Sequence, residues 1–394
     1  MIKNRVVETK SGIYIRIDPN TGLLAYSPYS GSFFVLNEND ATDIFNWLNK
    51  KITTNQIAEE YLKALGPGWA VPMNEAEYPI PHLLPLDFEI WDSIFIKRPI
   101  LINWLITGRC PLACKYCYAE DLMRDKEPSY ENILTAAESI LSFNPLAIVI
   151  TGGEPLLSPY LKEILDFLHG KVGIILDTSG IPLNDQHIDL FRKYNVFVRI
   201  SLDSERPQVN DKYRVPYGIS PQKLSSSKFA LKAICKCLEA DIKVGVQSVA
   251  TEKSRIDFES FGDKLYKLGV SAWRILMMVP SSMNKSNFSE LMGNTRSINR
   301  FYIHLLKRII KKHRSDWKDK MTVQVVPNTS LNSTILVAPN GIFYSESNIP
   351  HKGKIIIDKN NPSKPSLESI LEKVNMHAHT DRYLNIPREP ILFI

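Results

Sequence analysis

Cys110-Pro-Leu-Ala-Cys114-Lys-Tyr-Cys117 sets three thiols inside eight residues. Thiolates are soft ligands that suit zinc and iron–sulfur clusters. Zinc prefers four ligands, commonly from two paired elements, and no second Cys or His pair stands at suitable spacing nearby. A cubane cluster has four irons, so three cysteines leave one iron without a protein ligand. That open iron can chelate the amino and carboxylate groups of a small molecule. Only two other cysteines occur in the 394 residues. An odd count with this clustering speaks against a disulfide framework and for metal ligation in a reducing compartment.

Other polar groups recur at strand ends downstream. Thr151-Gly152-Gly153-Glu154-Pro155 follows an apolar run; glycines there expose backbone groups, and Glu154 offers an acceptor for an ammonium. Asp177-Thr178-Ser179-Gly180 and Ser201-Leu202-Asp203 close two later runs. Arg214 lies in a Tyr-Arg-Val-Pro loop, and a guanidinium pairs bidentately with a carboxylate.

The elements that must hold these residues alternate. Apolar, β-rich segments fall at 100–107, 146–151, 172–178, 197–203, 243–250 and 272–278. Helical patterns fall between them, near 130–142, 160–169, 185–194, 223–240 and 259–268. Such alternation implies a parallel sheet with right-handed crossovers. Six strands are too few for a closed eight-stranded barrel, so the expectation is an α/β fold built on a partial (β/α)6 barrel over 99–320. The polar groups above then share the strands' C-terminal end, where barrel enzymes build their sites.

The CxxxCxxC spacing with an aromatic before the last cysteine, one strand ahead of Gly-Gly-Glu, resembles the radical S-adenosylmethionine (SAM) superfamily. The resemblance covers about 200 residues and implies a [4Fe-4S] cluster on Cys110, Cys114 and Cys117. In that family the cluster passes one electron to SAM and releases a 5′-deoxyadenosyl radical, which abstracts a substrate hydrogen. Gly152, Gly153 and Glu154 match the motif that binds the SAM amino group. Ser201 matches a hydroxyl that contacts SAM, Arg214 an arginine for its carboxylate, and Tyr116 a ring beside the adenine. A one-electron donor such as a flavodoxin or ferredoxin is implied as partner. No catalytic acid, base or hydrogen donor is assigned.

The flanks extend the resemblance to peptide maturases of the superfamily. Residues 1–65 read as a hairpin (Ile13–Asp18, a Pro19-Asn-Thr-Gly22 turn, Leu23–Tyr26), a third strand at 33–36, and helices over 38–49 and 54–65. This order is similar to the small domain by which those enzymes capture a precursor peptide by strand addition. On that reading, deleting 1–65 spares SAM cleavage. A proline-rich linker covers 66–98. Residues 321–394 carry an Asn340-Gly341 hairpin signal, a strand near Gly353 and a helix over 367–374, similar to the family's SPASM/twitch extension. That extension normally holds auxiliary clusters, but no cysteine follows Cys237, so the chemistry relies on one cluster. A ribosomally made peptide is the leading expected substrate; a small metabolite, or a scaffold role without turnover, are the alternatives.

Other signals are set aside. Cys235 and Cys237 are two apart on a helix and point to nearly opposite sides, so Cys237 reads as core. The basic run Lys307–Arg314 reads as a solvated helix face, and His377 and His379 as incidental. The first 90 residues carry 7 Lys and Arg against 11 Asp and Glu, which supports a boundary near 90. A net charge of +6 falls short of a nucleic-acid binder's footprint. No apolar run reaches the roughly 18 residues of a membrane span, and the start is too polar for a signal peptide. The expected location is the cytoplasm.

Overall fold

The computed structural model describes residues 7–8, 14–18, 22–29, 33–36, 101–119, 127–218, 224–276, 278, 288–294, 304–317, 320–326, 334–341, 343–346 and 355–357. The helices expected over 38–49, 54–65 and 367–374, the linker at 66–98 and the two tail histidines lie outside the described residues.

The N-terminal strands β1 (Val7–Glu8), β2 (Tyr14–Asp18), β3 (Gly22–Tyr26) and β4 (Phe33–Leu36) form an antiparallel sheet in that order. The β2–β3 hairpin closes between Asp18 and Gly22, where the Pro-Asn-Thr turn chemistry places it.

The main sheet uses β5 (Leu101–Leu105), β7 (Ala147–Thr151), β8 (Gly173–Thr178), β9 (Phe197–Ser201), β11 (Val244–Val249) and β12 (Ala272–Leu276). These are the six expected strands, side by side and parallel. Between them lie α1 (Tyr130–Ser142), α2 (Leu161–Leu168), α3 (Asp185–Lys193), α4 (Pro207–Tyr213), α5 (Ser226–Glu239) and α6 (Phe258–Leu268). A short ribbon, β6 (Leu112–Cys114) against β10 (Arg214–Pro216), stands apart from this sheet.

The sheet does not stop at six strands. Thr322-Val-Gln-Val-Val forms β13 (Thr322–Val326), which joins parallel to β12. At the opposite edge β14 (Thr334–Val337) pairs parallel with β5. Among the described residues this makes eight parallel strands, a partial barrel. The expected hairpin forms between β14 and β15 (Phe343–Glu346), and β16 (Ile355–Ile357) follows antiparallel. Its first arm therefore serves both the barrel and the extension, a double role that turn chemistry alone does not announce.

Side-chain alternation assigns the two faces. One carries Trp104, Ile150, Leu176, Val198, Val246 and Trp273, all buried. Trp273 meets Phe258 and Phe261 of α6 edge-on, at 5.4 and 5.8 Å, so this face looks toward the helices. The opposite, concave face carries Gly173, Asp177, Phe197, Arg199, Ser201, Gln247, Arg274 and Gln324 by the same alternation. Strands buried on both sides normally read as unbroken apolar runs. Here five neighbouring strands, β8, β9, β11, β12 and β13, each place a polar side chain on this face, the mark of a lined chamber.

The N-terminal sheet closes the lower end of that chamber. The Tyr14 ring packs where a side chain on Gly173 would stand, and its hydroxyl lies 3.5 Å from the Ile174 carbonyl. Tyr29 meets Phe197 edge-on at 5.0 Å. Tyr14, Tyr26 and Tyr29 are buried.

Candidate functional site

The cysteine-bearing loop leaves β5 at Ile106 and is fastened on two sides. Its first part lies against the loop after β7: the Gly153 N–H donates to the Thr107 carbonyl at 2.9 Å, and the Glu154 N–H donates to Arg109 at 2.7 Å. Gly152 and Gly153 are required for this approach. A Cβ on Gly152, whose φ is +138°, would stand 2.6 Å from the Thr107 carbonyl oxygen; one on Gly153 would stand 2.2 Å from that of Arg109. The second part is the β6–β10 ribbon. It pairs Cys114 with Arg214 and continues through Lys115 N–H to Tyr213 at 2.9 Å and Tyr217 N–H to Pro111 at 2.7 Å.

Glu127 closes the base of the loop. Its carboxylate accepts from the Thr107 hydroxyl at 2.8 Å and the Gly108 N–H at 2.9 Å, and pairs with Arg109 at 3.4 Å. Nothing in the sequence reading pointed to Glu127, which follows the last cysteine by ten residues without a motif of its own.

Cys110, Cys114 and Cys117 are half-buried and form no disulfide. Burial, with the charge of Cys114 second, pushes the Cys110 thiol far up. Burial pushes Cys114 up to about 12, although Arg214 opposes it. Three thiolates in such a place need a positive centre to offset them, which the irons of a cluster supply. Among the described residues no three His, Cys, Asp or Glu side chains converge as ligands of one metal ion. Three thiols with no fourth Cys, His, Asp or Glu within residues 110–117 suit three corners of a cluster rather than the four ligands of zinc. The residues present fit the group.

Glu154 is fully buried and its acceptor sites are taken. One oxygen accepts from Thr178 at 2.6 Å and the Leu156 N–H at 3.2 Å; the other from the Ser179 N–H at 2.7 Å and hydroxyl at 2.5 Å. Burial outweighs these four donors and raises the carboxyl to about 7. The expected free acceptor is thus a strut binding the loop after β7 to the loop after β8. The Asp177-Thr178-Ser179-Gly180 segment supplies its partners.

Arg214 is buried, and so is Asp203. The guanidinium donates to Asp203 through Nε at 3.0 Å and Nη2 at 2.9 Å. Asp203 also accepts from the Val249 N–H at 2.8 Å and from the Tyr116 hydroxyl. Burial alone would lower Arg214, but Asp203, Tyr116 and Cys114 outweigh it and raise it further. Tyr116 is buried beneath this pair, its ring centroid 5.4 Å from the guanidinium carbon, and burial raises its phenol well above the ordinary range. Ser201 stands half-exposed at the end of β9, beside Gln247.

Two further groups line the chamber that the motif reading did not single out. Arg199 is clamped by Asp177 at 2.5 and 2.9 Å. Arg274 donates to Gln247 and to Gln324, each at 2.8 Å. The signal that could have found them is alternation: Phe197-Val-Arg199-Ile-Ser201, Val246-Gln247-Ser248 and Trp273-Arg274-Ile275 each set a polar residue between apolar ones. Cys237 is fully buried in α5, as expected of a core residue.

Comparison with known proteins agrees with this geometry. Residues 104–251 match the radical SAM superfamily. The Fe-coproporphyrin III synthase of Methanosarcina barkeri is 28% identical over 173 residues, 43% of this chain and 41% of that protein. The antilisterial bacteriocin subtilosin biosynthesis protein AlbA of Bacillus subtilis is 28% identical over 181 residues, 44% of this chain and 38% of that protein. The chain thus matches under half the length of either relative. Streptococcus suis SuiB, solved bound to precursor peptide SuiA, has the same fold, with a TM-score of 0.58 at 13% identity over 95% of this chain and 90% of that one. Among the described residues no helix is long and apolar enough to cross a membrane. The match begins in β5 and ends just past β11, so it takes in the cysteine loop, the Gly152-Gly153-Glu154 loop and the Asp203–Arg214 pair together: residues 104–251 of this chain form a radical SAM domain.

Proposed function

We propose that the chain is a radical SAM enzyme that modifies a ribosomally made peptide. The observation that carries the radical chemistry is the fastening of the Cys110–Cys117 loop to the Gly152–Glu154 loop and to Arg214. Cys110, Cys114 and Cys117 hold the [4Fe-4S] cluster. When bound with SAM, that cluster supplies reductive cleavage to a 5′-deoxyadenosyl radical. Gly152 and Gly153 bring main-chain groups to the SAM amino end, with Glu154 holding their loop in place. Ser201 and Arg214 flank the other end of SAM, and Tyr116 packs beside the adenine. The buried Tyr14, Tyr26 and Tyr29 close the lower end of the chamber.

The peptide substrate is supported by the maturases among the relatives and neighbours and by the N-terminal sheet. Among the described residues β4 pairs on one side alone, with β3, and an edge of this kind accepts an extended chain by strand addition. A flavodoxin or ferredoxin supplies the electron. A small-metabolite substrate is the second reading, favoured by the similarity to a porphyrin-processing enzyme.

Anaerobically reconstituted full-length protein with dithionite is expected to hold about four irons per chain and to release 5′-deoxyadenosine and methionine. Replacing Cys110, Cys114 and Cys117 together by alanine is expected to abolish both. Iron-loaded wild type that leaves SAM intact rejects the enzyme reading. A precursor peptide encoded beside this chain is expected to change mass on incubation. Steady SAM cleavage with an unaltered peptide passes the case to the metabolite reading.

A further inference from the structure

We propose that the Asp203–Arg214 pair supports the cluster ligand Cys114 from behind and sets how readily the centre takes up an electron. The inference rests on reading Cys110, Cys114 and Cys117 as cluster ligands, and it adds to Arg214 a role independent of SAM.

Position comes first. Arg214 is the residue directly opposite Cys114 in the β6–β10 ribbon. Its backbone is held in turn, since the Ser226 hydroxyl lies between two acceptors that share its one proton, the Arg214 carbonyl at 2.9 Å and Asp211 at 2.8 Å. Asp211 also accepts from the Ser227 N–H at 2.8 Å. The ribbon cannot slide without breaking these contacts at the head of α5.

Side-chain commitment comes second. Asp203 takes Nε and Nη2 of the guanidinium and is itself anchored by the Val249 N–H and the Tyr116 hydroxyl. Cross-strand pairing puts the Arg214 and Cys114 side chains side by side on one face of the ribbon. A surface arginine waiting for a carboxylate ligand needs no buried carboxylate of its own. A buried pair bears a desolvation cost that exposed ones avoid, and here it fixes one cation behind one thiolate.

The chemical consequence follows from charge. Reduction by one electron makes the cluster more negative. Hydrogen bonds to the sulfurs and nearby positive charge favour the reduced form, and nearby negative charge opposes it. Arg214 therefore raises the potential and Asp203 moderates it. A purely structural pair would give both substitutions the same effect, whereas an electrostatic one gives opposite signs.

The test is a redox titration of full-length reconstituted protein, poised with dithionite, followed by electron paramagnetic resonance, with SAM left out. Arg214→Gln is expected to lower the equilibrium constant for electron uptake on the order of tenfold, about 59 mV for a one-electron couple. Asp203→Asn is expected to raise it, and Arg214→Lys to stay nearer wild type. Shifts of the same sign, or none, overturn the proposal, including the case in which Arg214 serves SAM alone. If Arg214→Gln holds no cluster, Asp203→Asn is read by itself, and a fall or no change overturns the proposal. Wild type that takes up no cluster at all overturns instead the reading of the three cysteines.

Discussion

Replacing Glu154 by glutamine removes a charge from a site the fold has closed around it. The carboxyl ordinarily titrates at 4.5 and is raised to about 7, with burial the largest cause. Between these values the native state binds a proton that the unfolded state has lost, so this group's contribution to stability falls as pH rises. It is fully present below about 4.5, lost progressively up to about 7, and flat beyond. At about 1.4 kcal/mol per unit the loss is on the order of 3 kcal/mol. Glutamine keeps the volume and an acceptor for Thr178, but places an amide NH2 toward Ser179, which costs about 1–3 kcal/mol at every pH. The variant should therefore be less stable than wild type near pH 5 and close the gap, or overtake, near pH 8. Urea unfolding of cluster-free protein across this range reads the difference directly, because titration elsewhere cancels between the two proteins. Parallel stability curves would refute the argument, since they require Glu154 to be solvated or already paired with a cation.

Two further outcomes follow from the same geometry. Gly153→Ala sets a Cβ 2.2 Å from a backbone oxygen and must push the two loops apart; iron retention after reconstitution should drop well below wild type, which a metal assay reads. Cys237→Ser places a hydroxyl in a fully buried position and should cost about 1–3 kcal/mol in denaturant unfolding while leaving the iron content unchanged.

The barrel strands were legible because Ile, Val and Leu runs recur between amphipathic helices, and the cluster loop because three thiols have few uses at that spacing. The strand-end residues were legible as polar punctuation, but their partners were not. Glu154 read as an open acceptor because the sequence does not show that Thr178 and Ser179 converge on it from the next strand. Arg214 was legible as a carboxylate partner but Asp203 was not, because their pairing depends on a turn of chain through α4. β13 escaped because Thr322-Val-Gln-Val-Val follows a long connection and its parallel partner lies some fifty residues upstream. Long-range pairing is what local pattern cannot supply.

The N-terminal sheet packs against the barrel, and that contact makes a prediction of its own. Read from sequence, residues 1–65 form a tethered recognition domain whose removal spares SAM cleavage. In the structure Tyr14 covers Gly173 and Tyr29 abuts Phe197 on the concave side of the barrel. Three buried tyrosines at about 1.5–3 kcal/mol each amount to roughly 5 kcal/mol or more, a large share of the ~5–15 kcal/mol that holds a domain folded. A chain beginning at residue 37 should therefore unfold at a markedly lower temperature. Gly173→Ala separates docking from generic damage: its Cβ would stand 2.6 Å from the Tyr14 ring. The substitution should destabilise the full chain and leave the truncated one nearly unaffected, so the two changes are strongly non-additive. Thermal unfolding of the four proteins completes the cycle. Additive effects, or a truncated chain with an unchanged midpoint, would return the N-terminal sheet to the status of an independent domain.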